Sequence, residues 1–351
     1  MDESLMELPL LAYANARSLH FTSQYQLLML LNLVHANGVK PDAPELFALA
    51  RREKERLFER DVRNIVRGVY PVEVLAPENP VAHWWRFPAI LADGLGMSIR
   101  RAQGQTEVFD EQAAGFKADV PFYYQRNFHF QTNGYLSETS AELYEHQVEM
   151  LFGGMADAMR RLVISPLKQA FAGSDGEGLV FLELGAGTGR STRFVKLAFP
   201  KARVVALDLS APYLQVARKR MSGFSRTDFL QGDGANLPFQ DGLFDAVYSV
   251  FMFHEMPLPV RQAVMSESRR VIKPGGILAM VDSMQKGDRP DLDPLLANFS
   301  ANYHEPFYQN YVRHPIPELM AGDGFDEPGS DFGGLSKVVW SRRQPQEASS
   351  N

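Results

Sequence analysis

Glu183 stands two residues ahead of three alternating glycines, Gly185, Gly187 and Gly189, at the end of the apolar run Phe181-Leu182. Glycine lacks a Cβ and tolerates positive φ, so Gly185 and Gly187 can form a tight strand-to-helix bend whose floor a nucleoside can touch. The acid before the glycines bears on the charge of the ligand: a pyrophosphate is repelled by it and an amino-acid ammonium is attracted. The spacing E-x-G-x-G-x-G differs from the dinucleotide pattern G-x-G-x-x-G, and Arg190 stands where that pattern closes on Gly or Ala. Taken alone, the motif also fits a strand-to-helix turn with no ligand. The residues downstream of Arg190 narrow the choice.

The elements that must position such a turn come in order along the chain. Ser191 to Phe199 has the apolar spacing of a short helix stopped by Pro200. A strand, Arg203 to Leu207, then ends in Asp208, about twenty residues past the turn, the spacing at which a carboxylate meets ribose hydroxyls. The plainer reading of Asp208 is a helix-capping acid. Ser210 caps the next helix, with Pro212 in its first turn, running to about Met221. A third strand, Thr227 to Gln231, runs into Gly232-Asp233-Gly234-Ala235, and a fourth, Phe244 to Phe251, is apolar enough to be covered on both faces. It leads into Met252-Phe253-His254-Glu255. An amphipathic stretch from Pro259 to Ile272 reaches the turn Lys273-Pro274-Gly275-Gly276 and a fifth strand, Ile277 to Val281, ending in Asp282. Polar groups thus recur at the carboxyl ends of strands, where open α/β sheets bind ligands.

On the segments E-L-G-A-G-T-G, A-L-D-L-S, G-D-G-A-N-L-P-F, D-G-L-F-D-A-V-Y-S and the K-P-G-G turn, residues 173–341 resemble the class I S-adenosylmethionine (SAM) methyltransferase domain. The nearest flavour is the small-molecule group that includes the ubiquinone and menaquinone C-methyltransferases. The resemblance implies an α/β fold, a doubly wound, mostly parallel, Rossmann-like seven-stranded sheet, with SAM as cofactor. It carries cofactor contacts onto Glu183, Gly185, Ala186, Gly187, Asp208, Leu209, Asp233, Gly234, Ala235 and Phe251. In it, Asp233 accepts a hydrogen bond from the adenine amino group and the backbone N–H beside Ala235 reads the ring nitrogen. Such domains end in an antiparallel strand pair, for which Ser336 to Trp340 is the last strand. The Pro- and Gly-rich run from Pro315 to Gly334 hides its partner.

The chain's 351 residues exceed one such domain, so residues 1–172 are expected to form a mainly helical cap or substrate region, joined near Gly173 to Gly178. Residues 342–351 read as a disordered polar tail. With 36 Lys plus Arg against 42 Asp plus Glu, a net charge of -6 argues against a nucleic-acid partner. No cysteine is present, which excludes disulfides, thiolate metal sites and thiol nucleophiles. The start Met-Asp-Glu-Ser has no basic leader and Leu27 to Val34 is too short to span a bilayer, so the expectation is a cytoplasmic protein with no membrane span. The partner expected is a small-molecule substrate, and a homodimer through the N-terminal region stays open.

In that region, Gln24 to His35 and Ala43 to Arg67 read as helices, the second with mixed charges that suit a solvated face. Trp84, Trp85, Phe87 and Pro88 suggest packing against a flat surface. Phe122 to Gln131, with Gly134-Tyr135-Leu136-Ser137 after it, alternates aromatic with hydrogen-bonding side chains, as a lid over cofactor and substrate does, or as a buried aromatic segment does. Ala141 to Lys168 has helical spacing.

Methyl transfer from a sulfonium is an in-line displacement, and a base is needed only when the nucleophile arrives protonated. His254, after the fourth strand, is the first candidate for that base as a neutral imidazole; a satisfied structural histidine is the alternative. Glu255 either orients it or pairs with a surface cation. His129 and Tyr303 come next as catalytic candidates, with His304 beside them. His254-Glu255 and His304-Glu305 lack H-E-x-x-H spacing, so no metal is expected. The reading is a SAM-dependent methyltransferase acting on an oxygen or carbon of a small molecule. The alternatives are a non-catalytic SAM-binding scaffold or sensor and an NAD-dependent Rossmann oxidoreductase.

Overall fold

The computed structural model describes residues 3–31, 44–77, 82–105, 107–296 and 304–344. Seven helices come first: α1 (Glu3–Leu30), α2 (Pro44–Val66), α3 (Ala82–Ala102), α4 (Glu111–Lys117), α5 (Glu138–Leu151), α6 (Ala156–Arg160) and α7 (Ile164–Ala170). The helix expected from Gln24 is thus the end of a longer one. The helix expected from Ala141 to Lys168 is broken into α5, α6 and α7, because α1 crosses it closely. Gly154 has φ +82°, and a Cβ there would stand 2.8 Å from the Ser18 Cα. Trp85 lies on α3 half exposed, and the Trp84 side chain is outside the described residues.

The sheet has seven strands: β1 (Val180–Leu184), β2 (Arg203–Asp208), β3 (Thr227–Gln231), β4 (Phe244–Val250), β5 (Ile272–Ser283), β6 (Gly329–Gly333) and β7 (Ser336–Arg342). Their order is β3-β2-β1-β4-β5-β7-β6. The first five are parallel, and β7 enters antiparallel between β5 and β6. Helices α8 (Arg190–Ala198), α9 (Ala211–Arg220) and α10 (Leu258–Val271) link the parallel strands. Alternate β1 side chains serve two cores: Phe181 packs with Phe194, Phe199 and Leu162, while Leu182 and Leu184 pack with Val247, Val264 and Val271. A parallel strand buried on both faces is mostly apolar, and β1 and β4 are so apart from Glu183, Asp245 and Ser249.

Strand β5 begins at Ile272, earlier than expected, and the K-P-G-G stretch is absorbed as an irregularity in its pairing with β4 between Phe244 and Ala246. The hidden partner strand is β6, Gly-Ser-Asp-Phe-Gly, which lacks apolar alternation. Its Gly329 is required by contact, since a Cβ there would lie 2.6 Å from the Trp340 ring. The expected tail starts too early: Arg342 still belongs to β7 and Arg343 bridges to Phe325, while 345–351 lie outside the described residues. The N-terminal helices also reach the far edge of the sheet, where Arg60 on α2 bonds the Phe332 carbonyl at 3.0 Å and pairs with Asp331 at 2.8 Å. Among the described residues, no helix is long and apolar enough to cross a membrane.

Candidate active site

The turn after β1 carries three left-handed residues, Gly185, Gly187 and Gly189, with φ of 71°, 53° and 80°. Gly185 cannot bear a Cβ, which would lie 2.8 Å from the Met252 sulfur. Gly187 has open space in that direction, so its missing side chain leaves room in a cavity of about 880 Å³ above the turn. Gly185, Ala186, Gly187, Asp208, Leu209, Asp233, Gly234 and Phe251 all line this cavity.

Glu183 does not. It lies beneath the turn, 1% exposed, and its Oε2 accepts from the Thr192 hydroxyl at 2.5 Å and the Tyr248 hydroxyl at 3.0 Å. Burial pushes its carboxyl up to about 8 despite those two bonds. The direct charge contact expected of Glu183 is therefore corrected: the side chain braces the turn from below. Ala235 likewise stays off the cavity wall; its N–H donates to Asp233 Oδ1 at 2.9 Å, fixing the loop after β3.

Asp208 is not the cap of α9. Ser210 is, accepting from the Tyr213 N–H at 3.1 Å. The Asp208 carboxylate instead joins two strand ends, accepting from the Gly187 N–H at 2.7 Å and the Ser210 N–H at 2.8 Å. Burial pushes it up from the usual carboxylate range.

The other wall comes from the N-terminal region, including the aromatic segment read as either a lid or a buried stretch. Tyr123, Tyr124, Tyr135 and Tyr144 face the cavity together with Tyr213 of α9. Tyr135 stacks on Phe128 at 5.2 Å and meets Tyr213 edge-on at 5.3 Å. The Phe122–Gln131 segment thus covers the cavity as two short 3-10 turns. Glu145 and Arg160 also line it, paired at 2.9 Å. They belong to a buried ionic group in which Asp157 receives Arg190 at 2.9 Å and Arg17 at 2.8 Å. The odd residue of the glycine motif, Arg190, thus ties the turn to α6 and α1. Charges this deep persist only when paired and hydrogen-bonded.

A second chamber of about 680 Å³ adjoins the first, and Tyr144, Phe251 and Glu255 stand on both walls. Here Asp282, at the end of β5, holds the turn after β4: its Oδ2 accepts from the Phe253 and His254 N–H groups at 2.8 and 3.3 Å, and its Oδ1 meets His254 Nδ1 at 2.6 Å. Glu255 Oε1 lies 3.9 Å from His254 Nε2 and 4.0 Å from His129 Nε2, and it accepts from the Tyr135 hydroxyl. His129 Nδ1 lies 2.9 Å from the buried Glu305. Phe251 and His129 both hold left-handed backbones, φ 57° and 55°, a strain typical of functional positions.

Electrostatics revise the expected role of His254. Burial opposes its charge, but Asp282, with Glu305 and Glu255 beyond, outweighs burial and pushes it up to about 10. That direction favours the imidazolium, a donor, over the neutral base expected of it. Burial pushes Glu255 the other way for an acid, up to about 7 against the pull of His254. Glu255 is therefore not paired with a surface cation but sits between His254 and His129. His304 sits beside this group with its carbonyl accepting from the His129 N–H at 3.2 Å, and Tyr303 lies outside the described residues. The types His129, Glu255 and Glu305 also occur in metal sites, and their ligand atoms lie within 4.8 Å of one another. Such a group needs no H-E-x-x-H spacing, because the fold draws its three residues from three separate segments.

The sequence pattern of a family described as "Methyltransferase domain" matches residues 181–276. The chain is 31% identical over 188 residues to the demethylmenaquinone methyltransferase of Thermotoga maritima, covering 54% of this chain and 73% of that protein. It belongs to the class I SAM-dependent methyltransferases. The chain is also 32% identical over 143 residues to the fatty-acid O-methyltransferase of Mycolicibacterium smegmatis, covering 41% of this chain and 51% of that protein. Over 100 residues it is 38% identical to the malonyl-[acyl-carrier protein] O-methyltransferase of Xylella fastidiosa, covering 28% and 33%. The chain thus spans about half the length, or less, of these last two relatives. The family match covers the turn, β1 to β4 and α10, and leaves the N-terminal wall of the site outside it.

Proposed function

We propose that this chain transfers the methyl group of SAM to an oxygen or carbon of a small molecule seated in the second chamber. The observation that carries the reading is the shared wall: Tyr144, Phe251 and Glu255 separate the cavity over the glycine turn from the chamber holding His254. The first cavity suits the cofactor in kind. Gly187 leaves room beside the backbone, Asp208 and Asp233 offer carboxylates to ribose and adenine, and Arg160 with Glu145 offers both charges to an amino-acid end. Bound there, SAM supplies an electrophilic methyl on a sulfonium.

The remaining work falls to the chain. His254, held by Asp282, donates from Nε2 to an acceptor oxygen that is anionic or becomes so. Glu255, with its affinity for a proton near neutrality, takes the proton from an acceptor that arrives protonated. The tyrosines over the cavity exclude water, which otherwise competes as nucleophile and solvates the charges. Calorimetry with SAM, S-adenosylhomocysteine and NAD tests the reading: micromolar binding of the first two and none of NAD is expected. Binding of NAD alone would overturn it.

A further inference from the structure

A third chamber, again about 680 Å³, opens between α1, α3 and α5, lined by Leu28, Ile90, Gly94, Met97 and Met150. It shares His129, Tyr144, Val148 and Leu151 with the second chamber, so the two adjoin. Its two amide side chains, Gln131 and Gln147, are already engaged within the protein. The Gln131 amide donates to Gln147 at 3.0 Å and to the Ser140 carbonyl at 3.3 Å, and the Gln147 amide donates to Asp93 at 3.1 Å. A polar ligand gains nothing there that water does not offer, whereas an aliphatic one gains burial. The polar end of this path is the His254, Glu255 and His129 group beside the cofactor cavity.

We propose that the third chamber is a binding subsite for the unbranched aliphatic tail of an amphipathic acceptor whose acidic head sits at His254. This rests on the methyltransferase reading of the second chamber, and it assigns the N-terminal helices the task of measuring tail length. Gly94, buried on α3, and Met97 one turn on both line this chamber, so added bulk at either position tests its length.

The test uses the full chain loaded with S-adenosylhomocysteine and a series of straight-chain alkanoates from hexanoate to hexadecanoate, each below its micelle concentration. Affinity is expected to tighten about fourfold per methylene until the chamber is full, then to level off. Gly94→Leu, and independently Met97→Trp, should move the levelling point to shorter chains and weaken the longest ones at least tenfold. Hexanoate and S-adenosylhomocysteine affinities should not change. Wild-type affinity independent of length, or variants that weaken short and long chains alike, would overturn the subsite while leaving methyl transfer standing. Failure of S-adenosylhomocysteine itself to bind would overturn the methyltransferase reading instead. Should one variant not fold, the other carries the comparison.

Discussion

Replacing Asp208 by alanine separates a cofactor contact from a purely structural acid, and it needs no knowledge of the acceptor. Its carboxylate accepts the Gly187 N–H at 2.7 Å and the Ser210 N–H at 2.8 Å while lining the cavity. Both donors lose their acceptor in Asp208→Ala. A buried donor left unpaired costs about 1–3 kcal/mol, so with two of them the apo protein should lose about 2–6 kcal/mol of stability. If the same carboxylate also accepts from ribose hydroxyls, S-adenosylhomocysteine binding should weaken by about 1–3 kcal/mol, roughly 5- to 150-fold. Asp208→Asn keeps one acceptor oxygen and should lose less stability, yet it removes the charge that strengthens ribose hydrogen bonds. Thermal melts and calorimetry on the same samples give both numbers. A folded Asp208→Ala protein that binds S-adenosylhomocysteine as tightly as wild type would refute the cofactor role and leave Asp208 as a brace between β2 and the glycine turn.

Glu255→Gln should lower turnover about a hundredfold or more with S-adenosylhomocysteine affinity unchanged, and the wild-type rate should rise with pH through about 7, read from initial rates across pH 5 to 9. His254→Asn should weaken acceptor binding, and wild-type activity should fall as the imidazolium is lost near pH 10; a profile centred on 6.5 would restore the neutral-base role. Because the folded Glu183 carboxyl is raised to about 8, its stabilising effect is full below its ordinary value near 4.5 and lost as pH rises toward 8. Glu183→Gln should therefore flatten denaturant-derived stability over that window, where wild type loses about 1.4 kcal/mol per pH unit at most. A chelator is expected to leave turnover unchanged; a loss restored by a divalent cation would make His129, Glu255 and Glu305 a metal site.

The parallel half of the sheet was legible in the sequence because β1, β2, β4 and the end of β5 are mostly apolar runs punctuated by glycine or an acid, while β3, Thr-Asp-Phe-Leu-Gln, was marked by the glycines that follow it. Strand β6 was not, since an edge strand of Gly, Ser and Asp carries no period to detect, and its place depends on the Trp340 ring beside it. The glycine turn and the acids after β2 and β3 could be found by spacing, because backbone close to a ligand restricts residue type locally. Glu145 and Arg160 could not, as their meaning arises only when α5 and α6 fold over the turn. The charge state of His254 was beyond sequence for a similar reason: Asp282 lies 28 residues away and reverses what burial alone would do.

The bond from Arg60 to the Phe332 carbonyl joins groups 272 residues apart. During synthesis α2 leaves the ribosome long before the edge strand it docks on exists, and β6 itself is joined to the sheet only through β7, which is made last. The face of α2 that carries Leu57, which packs on Gly333 and Gly334, must wait for that edge to be made. Contacts of such sequence separation form slowly, because loop closure precedes any gain. The docking of α2 on this edge is thus tied to the completion of β6 and β7, the part of the sheet farthest from it along the chain.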